Sequence, residues 1–304
     1  MPSPDPHDAR RLDAVAVAAA LRRLARAPEP AWLHGEVARR MAERLEIVRL
    51  KPDLILDWGG ELGASGPLLQ RAYPKARRIV VEPDAHWAER SRAATKSGWW
   101  PARRWGATVE VMTQADELPA SAQLIWSNMA LHAVVDPPLV FERWQRLLRV
   151  GGFVMFSCLG PDTLRELRAI YERLGWPAPT PGFVDMHDLG DMMTQAGFAD
   201  PVMDQETLTL RYASAQAALD ELRTLGGNTA PDRMQGLRTP RWRRQLEREL
   251  DALKGADGKL GLSFEVAYGH AFKAAPRLRV GEATTVSLED MRAMVRSGRP
   301  TPGS

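Results

Sequence analysis

Apolar positions recur at two different periods along the chain. Near the start, "RRLDAVAVAAALRRLAR" places Leu12, Val15, Ala19 and Arg22 at helical spacing, and after "PEP" a second helix is expected from Trp32 to Leu45. From Pro52 onward, short apolar runs alternate with helical segments. "DLILDW" reads as a strand, Gly66 to Tyr73 as a helix, "RIVVEPD" as a strand and Ala85 to Ser97 as a helix. "TVEVMT", "QLIWSN" and "GGFVMFSCLG" give three further strands, with the helix "PPLVFERWQRLLR" between the last two. This alternation predicts a doubly wound parallel sheet whose first loop lies at the carboxyl edge, where such sheets bind ligands.

The second half is less regular. "PDTLRELRAIYERL" and "HDLGDMMTQAGF" read as helices, the latter begun by His187 and Asp188 and closed by Gly197. "ETLTLRY" and "LSFEVAYGHAFKA" alternate like half-exposed strands, with His270 inside the last of them, and predict an antiparallel finish to the sheet. "RTPRWRRQLERELDALKG" is a strongly charged helix. The expected organisation is a helical cap over 1–48 with a disordered extreme terminus, an α/β domain over 49–280 and a tail over 281–304.

Composition narrows the function. A chain of 304 residues that is 44% hydrophobic can bury a large core. Its 41 basic and 38 acidic residues leave a net charge of only +3, a weak basis for holding nucleic acid. The tryptophans, Trp99, Trp100 and Trp105 among them, are assigned to packing. The single cysteine, Cys158, can form neither an internal disulfide nor a cysteine-rich zinc site, which suits a reducing compartment. No apolar leader or 18-residue apolar run is present, so a cytoplasmic protein without a membrane partner is expected. No metal-ligand spacing occurs.

The first loop, "LILDWGGELGASGPLL", carries Asp57, Gly59, Gly60, Gly63 and Gly66 but does not match the dinucleotide fingerprint G-x-G-x-x-G. Glu82 closes the second strand, where a carboxylate can accept both ribose hydroxyls of an adenine nucleoside. That suits NAD or S-adenosylmethionine. Asp57 favours the latter, because a carboxylate there repels a pyrophosphate but tolerates an amino acid group and a sulfonium. Asp116, after the third strand, is placed to accept from the adenine amino group. Each of the three also has a plainer use, as a turn, capping or surface acid.

Later motifs carry a family resemblance. "SNMALHAVVDPPLVFERWQRLLRVGGFVMFSCLGPDTLRELR", followed by "GFVDMHDLGDMMTQAGFADPVMD", "LTLRYAS" and "FEVAYGHAFK", resembles the malonyl-acyl carrier protein O-methyltransferase family from about Trp32 to Lys273. The resemblance implies a class I methyltransferase fold, Rossmann-like, with a seven-stranded, mostly parallel sheet, an N-terminal helical cap and helical insertions in the second half. It also implies S-adenosylmethionine as methyl donor and malonyl on acyl carrier protein as acceptor, in biotin synthesis. Of the family's D-x-G-x-G-x-G loop, Asp57, Gly59 and Gly63 match, while Glu61 stands where the central glycine belongs. The family's lid Tyr-Asp pair is missing, and "RAPEPAWLHGEVA" offers Trp32 or His34 instead. A second reading is a methyltransferase-like protein with an altered cofactor site, serving as a binding or assembly factor.

Methylation of a carboxylate needs alignment and exclusion of water more than acid or base chemistry. On the enzyme reading, Asn128 shapes the methyl-transfer pocket and His132 lines the acceptor side; the alternatives are a helix cap and a packing histidine. Arg165, in preference to Arg168, holds a substrate carboxylate, or else bridges to a neighbouring helix. Arg241, Arg243, Arg244 and Arg248 either dock an acidic carrier or form a solvated face balanced by Glu247, Glu249 and Asp251.

Overall fold

The computed structural model describes residues 12–97, 108–113, 115–116, 118–275 and 292. The expectations for Pro2 to His7, for Trp99, Trp100 and Trp105, and for the tail over 281–304 apart from residue 292 lie outside the described residues. The chain divides into two compact units, Met1–Ala274 and Ala275–Ser304, and everything below belongs to the first.

Two helices, α1 (Ala14–Leu24) and α2 (Trp32–Glu43), precede β1 (Leu54–Trp58), α3 (Gly66–Ala72), β2 (Arg77–Val81), α4 (Ala85–Ser97) and β3 (Val109–Met112). There follow β4 (Ala122–Ser127), α5 (Pro137–Leu147), β5 (Leu148–Leu159), α6 (Arg165–Arg173), α7 (Met186–Gln195), β6 (Ala199–Tyr212), α8 (Ala215–Thr224), α9 (Pro240–Asp251) and β7 (Leu260–Phe272). The seven strands form one sheet in the order β3-β2-β1-β4-β5-β7-β6. The first five strands are parallel, and β7 runs antiparallel to both neighbours, β5 and β6. The antiparallel finish predicted from two alternating runs is thus made by inserting the last strand before the sixth, so β7 alone runs counter to the others.

Burial explains the strand textures. β4 is buried along its whole length and reads as a continuous apolar run, whereas β6 at the sheet edge alternates half-buried and exposed positions. Apolar clusters cover both faces: one joins Ile55, Leu124, Trp126 and Phe264 to α2, α6 and α9, the other joins Leu56, Ile125, Phe141, Trp144 and Phe156 to α5 and α7. Gly269 in β7 has no side chain because a Cβ there would meet the Phe156 ring at 2.4 Å.

Helix ends follow their sequence signals. The Asp136 side chain caps α5 by accepting from Leu139 N–H at 3.1 Å, and Pro137 occupies the first turn. Gly197 (φ +89°) closes α7 with the paired bonds from Gly197 N–H to the Thr194 carbonyl and from Phe198 N–H to that of Met193. Asp185 caps the start of this helix, two residues before the His187 expected there. The face expected for α1 is corrected: Ala16, Val17 and Ala20 are buried, whereas Val15 is 74% exposed. Small residues won because α1 lies so close to Gly226 (φ +93°) that a Cβ there would stand 3.1 Å from Leu24 and 3.6 Å from Ala20.

Candidate active site: a closed carboxylate edge beside an open cavity

The ends of β1 and β2 bring Asp57 and Glu82 to the carboxyl edge of the sheet, each only 1% exposed. Asp57 faces Arg78 through Oδ2 at 3.3 Å, and its Oδ1 has no partner. Burial pushes its carboxyl up to about 6, against the pull of Arg78 and with help from Glu61. Glu82 accepts through Oε1 from the Ser91 hydroxyl at 2.5 Å and the Glu61 N–H at 3.0 Å, while Oε2 is buried without a partner. Burial pushes this carboxyl up to about 7. Ser127 Oγ, at the end of β4, is a third buried polar atom without a partner. Buried polar atoms of this kind are rare unless something arrives to satisfy them.

The loop between β1 and α3 needs its glycines at specific points. Gly59 adopts φ +69°, and a Cβ on Gly60 would strike the Asp57 carboxylate at 2.6 Å. At Gly63 a Cβ would press to 3.0 Å against the Asn128 carbonyl. Glu61 is not among the residues of positive φ, so its backbone makes no demand for glycine. Its carboxylate turns to Arg90 Nε at 2.9 Å. Arg90 also donates to the carbonyls of Ala25, Ala27 and Pro28, which ties the loop to the chain between α1 and α2. Leu62 packs with Trp87 and Ala25, and the space among their neighbours is only about 10 Å³, at the lower limit for one water.

Asn128, expected to shape the methyl-transfer pocket, is buried in a hydrogen-bond network. Its amide nitrogen donates to the carbonyls of Gly63 (2.7 Å) and His34 (2.8 Å), and its Oδ1 accepts from Ser157 (2.7 Å). The side chain therefore crosslinks the glycine loop, α2 and β5, and Ser65 supports the same loop by accepting from Trp126 Nε1 at 2.7 Å. Asp116 is exposed, its Oδ1 drawn to Arg143 at 3.4 Å and Arg146 at 3.7 Å on α5. Arg165, expected to hold a substrate carboxylate, lies exposed at the start of α6, beside Glu166 at 3.5 Å, and does not line the cavity described next. Trp32 is 60% exposed, so of the two aromatic candidates for a lid only His34 is buried.

A cavity of about 420 Å³ opens beside this edge, within the usual size of a ligand site. Its buried floor includes His34, Met129 and Thr163, with half-buried His132 in the wall, and its exposed rim includes Arg223, Gly227 and Arg238. His132 Nδ1 accepts from Leu159 N–H at 3.4 Å, which puts the ring proton on Nε2, and burial with nearby His34 pushes the imidazole down to about 3. His34 donates from Nδ1 to the Leu62 carbonyl at 2.9 Å, leaving Nε2 an acceptor. The cavity wall thus offers a neutral donor and a neutral acceptor. The rim residue Arg238 was missed in the sequence; its signal was the four-residue spacing to Trp242 in "RTPRW", over whose ring it lies at 4.4 Å.

Among the described residues no group of histidine, cysteine or acidic side chains can hold a metal ion, and no helix is long and apolar enough to cross a membrane. Cys158 is buried, its thiol pushed up to about 12.

No protein-family model matches the chain. Solved structures with the same fold include the YcgJ protein of Bacillus subtilis (TM-score 0.53, 13% identity, 79% of this chain and 99% of that one). A putative methyltransferase of Bacillus halodurans is similar to the same degree (TM-score 0.52, 13% identity, 78% of this chain and all of that one). The fold is that of the class I methyltransferases. Curated relatives carry the name malonyl-[acyl-carrier protein] O-methyltransferase: that of Gallionella capsiferriformans is 41% identical over 254 residues, covering 82% of this chain and 86% of the relative. That of Laribacter hongkongensis is 36% identical over 257 residues, covering 82% and 85%. With that identity sustained over four-fifths of its length, and with the class I sheet beneath it, the chain belongs to the malonyl-[acyl-carrier protein] O-methyltransferase family.

Proposed function

We propose that the protein is a cytoplasmic S-adenosylmethionine-dependent carboxyl O-methyltransferase acting on malonyl carried by acyl carrier protein, in biotin synthesis. The observation that carries this reading is the pair of buried carboxylates, Asp57 and Glu82, each with an oxygen lacking any donor. Their chemistry fits the amino and ribose hydroxyl donors of S-adenosylmethionine. When bound, that cofactor supplies an activated methyl group whose C–S electrons return to sulfur as an acceptor carboxylate oxygen forms the new C–O bond.

The chain's own residues then bind and orient. Glu82 and Asp57 accept the donors, Gly59 and Gly63 keep the loop backbone near them, and Asn128 positions that loop. A contact from Asp116 to the adenine amino group competes with its pairing to Arg143 and Arg146. On the cavity side His132 presents Nε2–H without a charge. A neutral donor orients a carboxylate while leaving its negative charge available to attack, which a bound cation would quench. Arg241, Arg244 and Arg248 on α9 are exposed and form no ion pair among the described residues, and they supply a basic surface for an acidic carrier. The binding-factor alternative leaned on Glu61 and on the missing lid tyrosine; of these, the Glu61 carboxylate is held by Arg90.

The test is titration with S-adenosylmethionine followed by assay of methyl ester on malonyl-acyl carrier protein. Saturable binding and ester formation, both reduced in Glu82→Gln, are expected; a well-folded protein that neither binds nor methylates would refute the reading.

A further inference from the structure

The cavity holds more than a methyl acceptor of three carbons requires. From the floor at His34, Met129 and Thr163 it continues between α1, α8 and α9 to the rim at Arg223 and Arg238. Most of its lining is apolar, with Leu24, Leu167, Leu219 and Leu222 among the walls. Two polar atoms in that lining are buried without partners, Thr180 Oγ1 and Trp242 Nε1. Neither is used by the chemistry proposed above. At the rim, Arg223 is paired with Asp220 and Arg243 with Glu247. Arg238 is exposed, stacked on Trp242, and in no ion pair among the described residues.

A ligand matching this sequence of environments has a small polar head, a long and mostly apolar stem interrupted by amide groups, and an anion at the far end. We propose that the cavity is a channel for a pantetheine-type thioester arm, with Thr180 and Trp242 hydrogen-bonding its amides and Arg238 holding its terminal phosphate. This deepens the proposed function and rests on it for the identity of the acyl head, but the channel is defined by the arm alone. Depth accounts for the arrangement: a thioester threaded from the rim delivers its acyl end to His132 and leaves the phosphate where solvent and a docked carrier can reach it. An arginine stacked on an indole loses little freedom on binding, so a phosphate contact there adds affinity at low ordering cost. Trp242 makes occupancy visible, because an amide approaching its indole N–H changes the emission of that ring.

The deciding experiment compares 4′-phosphopantetheine with unphosphorylated pantetheine, both carrying an unreactive malonyl thioether, by calorimetry and tryptophan fluorescence on the full chain. The expected result is about tenfold tighter binding of the phosphorylated arm, a preference that collapses to about one in Arg238→Ala. Thr180→Val should weaken both arms alike, by about threefold to tenfold. Leu222→Trp, which adds bulk to the wall of the cavity, should abolish binding of both; its thermal melt checks that it is folded. Equal affinity of the two arms for the unmodified protein, or a phosphate preference untouched by Arg238→Ala, would overturn the channel. Turnover keeps the two ideas separate. Arm binding without any methyl ester on malonyl-carrier would refute the proposed function and leave the channel standing, whereas ester formation with no Arg238-dependent preference would refute the channel and leave the function.

Discussion

The two halves of the candidate site are built on opposite principles. At the ends of β1 and β2 the protein buries two carboxylates, each with one oxygen that lacks a donor, and packs the adjoining loop so closely that almost no space remains among Leu62, Trp87 and Arg90. A few residues away it keeps a roomy, largely apolar cavity with neutral histidines in its wall. The first region stores unsatisfied polarity and the second stores unfilled volume. A ligand entering the first gains mainly by supplying hydrogen bonds; one entering the second gains mainly by removing apolar surface from water. Asn128 separates the two, because it holds the loop of the closed side, its carbonyl leaves no room for a side chain at Gly63, and its neighbour Met129 lines the open side.

Breaking that divider should have the largest effect. Asn128→Ala removes three hydrogen bonds and strands buried partners in Gly63, His34 and Ser157, so unfolding in urea should show a loss of about 2 to 4 kcal/mol. Wild-type stability or near it would mean that the loop is held by other contacts.

Glu82→Gln sharpens the comparison from the polar side. It should weaken S-adenosylmethionine binding by about thirtyfold while stabilising the free protein above neutral pH, a split that calorimetry and urea titration read separately. The sign follows from the raised carboxyl. Its folded value of about 7 lies above the ordinary glutamate range, so the native chain holds an extra proton between the two values. Stability therefore falls as pH rises through that window, by about 1 to 3 kcal/mol, and Glu82→Gln should flatten the fall. Cofactor donors favour the ionised form, so binding should release protons between pH 6 and 7, detectable as a buffer-dependent binding enthalpy.

Arg90→Ala unties the closed side from the segment joining α1 and α2. We expect a stability loss of about 1 to 2 kcal/mol with faster cofactor association in stopped flow, since Glu61, Leu62 and Trp87 are then less firmly held. Smallest of all is Arg165→Ala, expected to change stability by less than about 0.5 kcal/mol and to leave KM for malonyl-carrier unaltered, because Arg165 is exposed and its ion pair, 3.5 Å to the adjacent Glu166, is long.

The same contrast explains what could be seen before folding. β1, β2 and the carboxylates that end them were legible because strand period, glycine loop and acid are all local signals. So was the Gly197 cap. What escaped depended on partners distant in sequence. The buried face of α1 was set by its approach to Gly226, some two hundred positions on, and not by its own largest side chains. The crosslink made by Asn128 was hidden because its three partners lie on the glycine loop, α2 and β5. Arg165 drew attention by its motif, while Arg238, marked only by the spacing to Trp242, reached the cavity. Glu61 seemed to obstruct the loop until Arg90, from α4, was seen beside it.

The placement of β7 also constrains how the chain can be made. Among the described residues β6 pairs only with β7, and β7 is the last strand, drawn from Leu260–Phe272. During synthesis β6 therefore emerges with a bare backbone edge while the α8–α9 region is still being translated, and β5 waits with its outer edge open as well. The fold closes only after the final strand leaves the ribosome and slides between two strands already present. Such late, non-local pairing is slow and exposes aggregation-prone edges in the interim. Truncation before Leu260 should thus yield a chain that is captured by holding chaperones or precipitates, and the alternating polar positions of β6 keep its edge soluble until its partner arrives.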